Sequence, residues 1–207
     1  MNLAGKPSVT LVLGSSGTGK STFVTTYLLR SEFSCRFLFD PLGEWSQRLK
    51  LPLALTVLDL QTQMLDGWVC YDPSEMWGGS TQDGFEFFCD FVRLSAGRFE
   101  GRKVLVVDEV QDYLTTQSMP QELALIVQAG RKWHLESIFT SQRLNQLNGA
   151  LLNQATETVV FSLGSDNDLR RLEHQNFVAD ELAALPDLHF VSRTRRGGEL
   201  RGKVRVG

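Results

Sequence analysis

Gly14-Ser15-Ser16-Gly17-Thr18-Gly19-Lys20-Ser21 follows directly on the apolar run Val9 to Leu13. The spacing G-x-x-x-x-G-K-[ST] suits a phosphate, because glycines let successive backbone N–H groups turn inward and the helix that follows adds its positive N-terminal end. In such a loop a lysine at the position of Lys20 reaches the β and γ phosphates, and the Ser21 hydroxyl ligates Mg²⁺. Gly14, Ser15, Ser16, Gly17, Thr18, Gly19, Lys20, Ser21 and Thr22 are therefore the expected nucleotide-binding set, with ATP and Mg²⁺ as cofactors. A glycine- and serine-rich turn between two ordinary elements would carry the same letters. The strand before it and the helix predicted at Ser21 to Leu29 favour the phosphate reading.

Away from this loop, apolar runs alternate with helical patterns. Strands are predicted near Val9 to Leu13, Arg36 to Phe39, Trp68 to Tyr71, Val104 to Val107, Ser137 to Thr140 and Thr158 to Leu163, with a hairpin near His189 to Val206. Helices are predicted at Ser21 to Leu29, Gly84 to Ser95, Gln121 to Ala129 and Asp166 to His174, with a short turn at Ala179 to Leu185. Continuous apolar strands separated by helices imply an α/β fold, a mainly parallel sheet covered by helices on both faces, here with a C-terminal β-hairpin. Asp72 to Asp83 is the least organised stretch, with Pro73, Gly78 and Gly79 around Met76 and Trp77.

Composition sets bounds on the class. The 207 residues, 42% hydrophobic and 22% charged, suit one globular domain, so residues 1–207 are read as a single domain with a basic hairpin or tail at about 189–207. No apolar run approaches the roughly 20 residues that cross a membrane, and Met1 to Pro7 has no apolar signal core, so a cytoplasmic location is expected. Cys35, Cys70 and Cys89 lack C-x-x-C spacing, which argues against a disulfide frame or zinc site. Net charge is −3, yet the tail from Phe190 carries Arg193, Arg195, Arg196, Arg201, Lys203 and Arg205 against Glu199 alone. That tail is either a basic surface for a polyanion or a hairpin with solvated arginines.

Val104-Leu105-Val106-Val107-Asp108-Glu109 is a buried strand ending in two carboxylates, the form of a Walker B strand. Asp108 suits Mg²⁺, and Glu109 suits polarisation of the water that attacks the γ phosphate. An acidic pair after a strand also serves as a helix N-cap, but the phosphate loop on the same sheet favours catalysis. The adjacent glutamate points to hydrolysis of ATP by water. A third strand, Ser137-Ile138-Phe139-Thr140-Ser141, runs into Gln142, which at the carboxyl edge of a parallel sheet can sense the γ phosphate or orient water. Arg131 and Lys132 after Gly130 either complement a helix C-terminus or act as an arginine finger, and Arg143 competes for the finger role.

Together these segments resemble the FtsK-HerA superfamily of DNA-pumping ATPases. Phe37-Leu38-Phe39-Asp40-Pro41-Leu42-Gly43-Glu44-Trp45 is similar to that family's strand followed by Asp-Pro-x-Gly-Glu-aromatic. Gly130-Arg131-Lys132 with Thr140-Ser141-Gln142-Arg143 is similar to its arginine and sensor-glutamine segment, so the resemblance spans residues 8 to about 175. It implies a RecA-like (ASCE) P-loop NTPase core, a homo-hexameric ring, ATP at subunit interfaces and Arg131 acting in trans. Leu144 stands where the family usually has proline after the arginine, which leaves the role of Arg143 open.

Within the superfamily, the 13 residues before Gly14 suit a bare motor, similar to genome-packaging ATPases of icosahedral viruses with an internal membrane. Such motors pump double-stranded DNA into a preformed capsid, with a capsid or vertex membrane protein as partner. The virion vertex then joins the host cytoplasm as an expected location. In the mechanism so implied, Lys20, Glu109, Gln142 and Arg131 are catalytic, and Ser21 and Asp108 support Mg²⁺. Sequence-independent DNA contacts are expected from the loop Trp77 to Thr81, the segment Arg143 to Gly149 and the basic hairpin, although Trp77 reads more readily as a core or interface aromatic. The alternatives are an assembly or secretion ATPase acting on protein, of filamentous-phage or conjugative type, and a small-molecule kinase.

Overall fold

The structure is a computed structural model and describes residues 8–205. Met1 to Pro7, Val206 and Gly207, on which the N-terminal and hairpin readings partly fall, lie outside the described residues. Among the described residues eight strands form one sheet: β1 (Val9–Leu13), β2 (Cys35–Phe39), β3 (Trp68–Tyr71), β4 (Lys103–Val107), β5 (Leu135–Ser141), β6 (Glu157–Val160), β7 (His189–Thr194) and β8 (Glu199–Lys203). Their order is β3-β2-β4-β5-β1-β6-β7-β8. The first six in that order run parallel, and β7 and β8 add an antiparallel hairpin at one edge.

Strands β1, β4 and β5 are buried along their whole length, as expected for parallel strands with both faces covered. On one face, α1 (Lys20–Arg30) and α2 (Glu44–Leu49) contribute Val24, Leu28 and Trp45 to a core that includes Val12, Val106 and Ile138. The other face carries α3 (Val57–Leu65), α4 (Thr81–Ala96), α5 (Gln121–Ala129), α6 (Gly149–Gln154), α7 (Asp166–Glu173) and α8 (Ala179–Ala183). Residues from these six helices pack into a second, larger core.

Phe85, Phe88, Cys89, Val92 and Ala96 recur at helical spacing on α4 and are all buried. Complete burial of one such aromatic side chain stabilises the fold by about 1.5–3 kcal/mol. Phe39 of β2 meets Phe85 edge-on at 5.1 Å, which ties helix to sheet.

Several expectations need correction. Helix α4 begins at Thr81 rather than Gly84, because the Ser80 hydroxyl caps it by accepting from Asp83 N at 3.3 Å. Strand β6 ends at Val160, short of Leu163. Beyond it the chain leaves β7 and holds the phosphate loop, with Phe161 N donating to Leu13 O at 2.8 Å and Ser15 N donating to Ser162 O at 2.9 Å. Helices α2, α3 and α6 fall where no helix is predicted. Trp77 turns inward, donating from Nε1 to the Tyr71 hydroxyl at 2.8 Å and packing on Phe87.

Candidate nucleotide site

Because β1, β4 and β5 are parallel, their carboxyl ends open onto one crevice. Leu13 pairs with Ser141 and Val107 with Phe139, so the segments Gly14 to Ser21, Asp108-Glu109 and Gln142 leave the sheet side by side. This is the edge where open α/β sheets bind ligands. A cleft of about 200 Å³ opens there, lined by Ser16, Gly17, Lys20, Ser21, Asp108, Glu109 and Gln142, together with Glu44 and Asp112.

The loop itself is tightly fixed. Gly19 has φ +118, and a Cβ on it would lie 3.0 Å from Leu188 Cδ2 and 3.2 Å from Phe161 Cε1, so glycine is required for both backbone and space. The Thr18 hydroxyl donates to Ser15 O at 2.9 Å, and Thr18 O accepts from Leu188 N at 2.9 Å. Leu188 O in turn accepts from Val204 N at 2.8 Å, so both ends of the β7–β8 hairpin hold the loop. Thr22 lies one residue into the first turn of α1 from Ser21, outside the cleft lining.

Lys20 is buried, and its Nζ donates to Gly14 O at 2.9 Å and Ser15 O at 3.2 Å, with Glu109 Oε1 at 3.6 Å. Burial lowers its pKa, an effect opposed by the charges of Glu109 and Asp108. Burial likewise raises the Asp108 pKa, opposed by a hydrogen bond from the Thr140 hydroxyl, and Glu109 and Glu44 push it in the same direction as burial. Thr140 also accepts from Glu109 N at 3.0 Å.

Glu109 adopts φ +45, a left-handed conformation that costs a non-glycine residue roughly 1–3 kcal/mol and is concentrated at functional sites. Its carboxylate is held on several sides. Oε1 accepts from Gln142 Nε2 at 2.7 Å, and Oε2 accepts from Gln142 N at 3.0 Å and Gln111 Nε2 at 2.8 Å.

The Asp-Pro-x-Gly-Glu segment acquires a physical explanation. Asp40 is 2% exposed, and its carboxylate accepts from Trp45 N at 3.0 Å and Ser46 N at 2.8 Å, capping α2 and setting Glu44 into the cleft. Glu44 lay in a motif quoted from the sequence but was given no role. Gln111 carried no signal, since its partnership with Glu109 depends on a 3₁₀ turn at Val110–Asp112.

Arg131 is not brought to this cleft. It sits in a 3₁₀ turn, Gly130–Trp133, ahead of β5, whereas Gln142 follows β5. Seven strand residues separate the two edges, about 20 Å at roughly 3.3 Å per residue. Arg143 is exposed beside Gln142, and its charge lowers the Asp112 pKa, which burial and Glu109 raise. Cys35, Cys70 and Cys89 are free thiols and buried.

No family model and no curated protein matches the sequence. Solved structures do match the fold. The genome packaging NTPase B204 from Sulfolobus turreted icosahedral virus 2, in complex with AMPPCP, has a TM-score of 0.79 at 19% identity, covering 96% of this chain and 98% of that chain. The fold is the RecA-like P-loop ATPase fold. VirB4 of Thermoanaerobacter pseudethanolicus shares it with a TM-score of 0.67 at 13% identity, over 96% of this chain and 89% of that one. So does the plasmid coupling protein TrwB in complex with GDPNP, with a TM-score of 0.68 at 14% identity, over 100% and 88%. Among the described residues no helix of this RecA-like chain is long and apolar enough to cross a membrane.

Proposed function

We propose that this chain is a member of the FtsK-HerA superfamily and an ATP-hydrolysing motor that translocates double-stranded DNA, packaging a viral genome into a preformed capsid. The observation that carries the hydrolytic part is the Glu109 carboxylate, bonded to Gln142 and 3.6 Å from Lys20 Nζ beside the phosphate loop. A carboxylate so held is a base aimed at a water on the γ phosphate. The packaging part draws on the likeness in fold to B204, a genome packaging NTPase.

Lys20 has two carbonyl partners in the loop, and a β,γ-phosphate there would exchange those contacts for stronger, charge-assisted ones. The backbone from Gly14 to Gly19 cradles the phosphates, and Thr22 extends the set into α1. Glu109 accepts the proton of the attacking water. Gln142 links that carboxylate to the end of β5, so a change at the γ phosphate is felt along the strand.

The donor set fits Mg²⁺: the Ser21 hydroxyl and Asp108 carboxylate are hard oxygen ligands in one cleft, and burial disfavours an uncompensated Asp108 charge. When bound, the ion neutralises phosphate charge and orients the leaving group. Arg131 acts in trans within a homo-hexamer, and Arg143 to Gly149 with the basic hairpin meets the DNA backbone. A capsid or vertex membrane protein anchors the ring, at the virion vertex or in host cytoplasm. The likeness to TrwB, a conjugative coupling protein, favours a conjugative-type assembly ATPase as the second reading.

Steady-state ATP hydrolysis with and without double-stranded DNA across a salt series tests the proposal. A translocase gives DNA stimulation that fades as salt rises. Hydrolysis indifferent to DNA at every salt concentration would instead favour the assembly reading.

A further inference from the structure

Gln111 stands outside the sequence motifs, yet it touches the carboxylate at the centre of the phosphate cleft. Its position comes from the short turn Val110–Asp112, whose first residue is buried in the larger core. Asp112 N donates to Glu109 O at 2.9 Å and Tyr113 N to Val110 O at 3.2 Å, and the Tyr113 ring stacks on Phe85 at 4.8 Å. The turn is thus pinned on both sides of Gln111. Side chains two positions apart do not face each other on a helix. The left-handed backbone at Glu109 turns these two together, so that Gln111 Nε2 donates to Glu109 Oε2 at 2.8 Å.

The amide has one usable orientation. A carboxylate only accepts, so the Gln111 nitrogen must face Glu109, and the amide oxygen is left buried with no hydrogen-bond partner among the described residues. A buried unpaired acceptor is costly and uncommon in a folded protein. Here it is the consequence of holding a donor against Glu109. The other edge of the sheet is built differently. There Thr194 pairs with Glu157 at the start of β6, and the turn that follows brings Arg195 and Arg196 to a separate cleft of about 500 Å³ shared with Arg131. All three arginines are exposed and take no part in the bonding around Glu109.

The two oxygens of Glu109 are held by groups of different kinds. Oε2 accepts from Gln111 and from the backbone N of Gln142 at 3.0 Å, which the end of β5 keeps in place. Oε1 accepts from the Gln142 side chain at 2.7 Å, with Lys20 Nζ at 3.6 Å. Lys20 and the Gln142 amide are side-chain donors that a γ phosphate attracts. We propose that Gln111 is a positioning residue: with Gln142 N it anchors Oε2, so that phosphate binding frees Oε1 alone, and Oε1 takes the proton of the attacking water. This rests on the hydrolytic reading above. In that step a water O–H bond breaks and its proton goes to Oε1, while the water oxygen bonds to the γ phosphorus. The bond from that phosphorus to the β,γ-bridging oxygen breaks, and its electron pair leaves with ADP. A carboxylate anchored through one oxygen presents the other in one direction, whereas an unanchored one rotates, and misplacement by about 1 Å costs about 10²-fold in rate.

Steady-state and single-turnover ATP hydrolysis by Gln111→Met, Gln111→Glu, Glu109→Gln and the double variant Glu109→Gln/Gln111→Met test the assignment. Gln111→Met keeps the length of the side chain and removes the amide. Its kcat should fall about 10- to 100-fold. KM for ATP and the affinity for AMPPCP should stay within about threefold of wild type, because Gln111 acts on the carboxylate and not on the nucleotide. Gln111→Glu should be slower still, since it sets a second carboxylate against Glu109. On the Glu109→Gln background, adding Gln111→Met should cost less than about threefold, because the carboxylate through which Gln111 acts is already gone. Wild-type kcat in Gln111→Met, or a full multiplicative loss in the double variant, overturns the proposal. So does a loss of AMPPCP affinity large enough to account for the fall in rate, which would make Gln111 a support of the whole cleft. If Glu109→Gln itself turns over at the wild-type rate, the hydrolytic reading fails and this assignment falls with it.

Discussion

The two edges of the sheet are built in opposite ways. At the carboxyl edge every catalytic candidate is tied down: Glu109 by Gln111, Gln142 and Lys20, Asp108 by Thr140, and Lys20 by two loop carbonyls. At the amino edge Arg131, Arg195 and Arg196 are exposed and unpaired among the described residues. The first edge is pre-organised, so its reorganisation cost is already met by folding. The second edge gains no stabilising contact of this kind from its own fold. Changes at the first edge should therefore move stability and rate together, and changes at the second should move rate alone.

The largest expected effect is at the exposed edge. Arg131→Ala should lower kcat by about 10³ to 10⁵, the range for removal of an arginine finger, while denaturant unfolding shifts by less than about 0.5 kcal/mol. A rate near wild type would break the comparison. Next comes Thr140→Val, which leaves the half-buried Asp108 carboxylate and Glu109 N without that hydroxyl. Loss of a hydrogen bond to a charged group costs about 1.5–3 kcal/mol, so urea unfolding should fall by that much and hydrolysis should fall with it. Asp40→Ala removes the cap of α2 and should cost about 0.5–2 kcal/mol, with a higher KM for ATP as Glu44 loses its fixed position. Smallest of all, Arg195→Ala should leave thermal unfolding within about 0.5 kcal/mol of wild type.

The same contrast explains what the sequence made legible. The phosphate loop, Asp108, Glu109 and Gln142 were readable because each sits at a fixed offset from a strongly apolar strand, and parallel pairing then forces the strand ends together. Strands β1 to β5 were located to within two residues for that reason. Helices α2, α3 and α6 were not legible. The first depends on an aspartate side chain five residues upstream of Trp45, and the second follows an apolar stretch, Leu51 to Leu55, that has no helical period. Strand β6 was read too long because Phe161 continues the apolar pattern while its backbone serves the phosphate loop. The grouping of Arg131 with Arg195 and Arg196 joins residues more than sixty positions apart and follows only from the strand order.

The most direct test of the account is Glu109→Gln, measured for both nucleotide affinity and turnover. The amide keeps the size of the side chain but cannot take a proton from water. The account predicts ATP affinity within about threefold of wild type and kcat lower by about 10² to 10⁴. Turnover retained at the wild-type rate would contradict it, since the residue held most closely at the phosphate edge would then have no part in the chemistry.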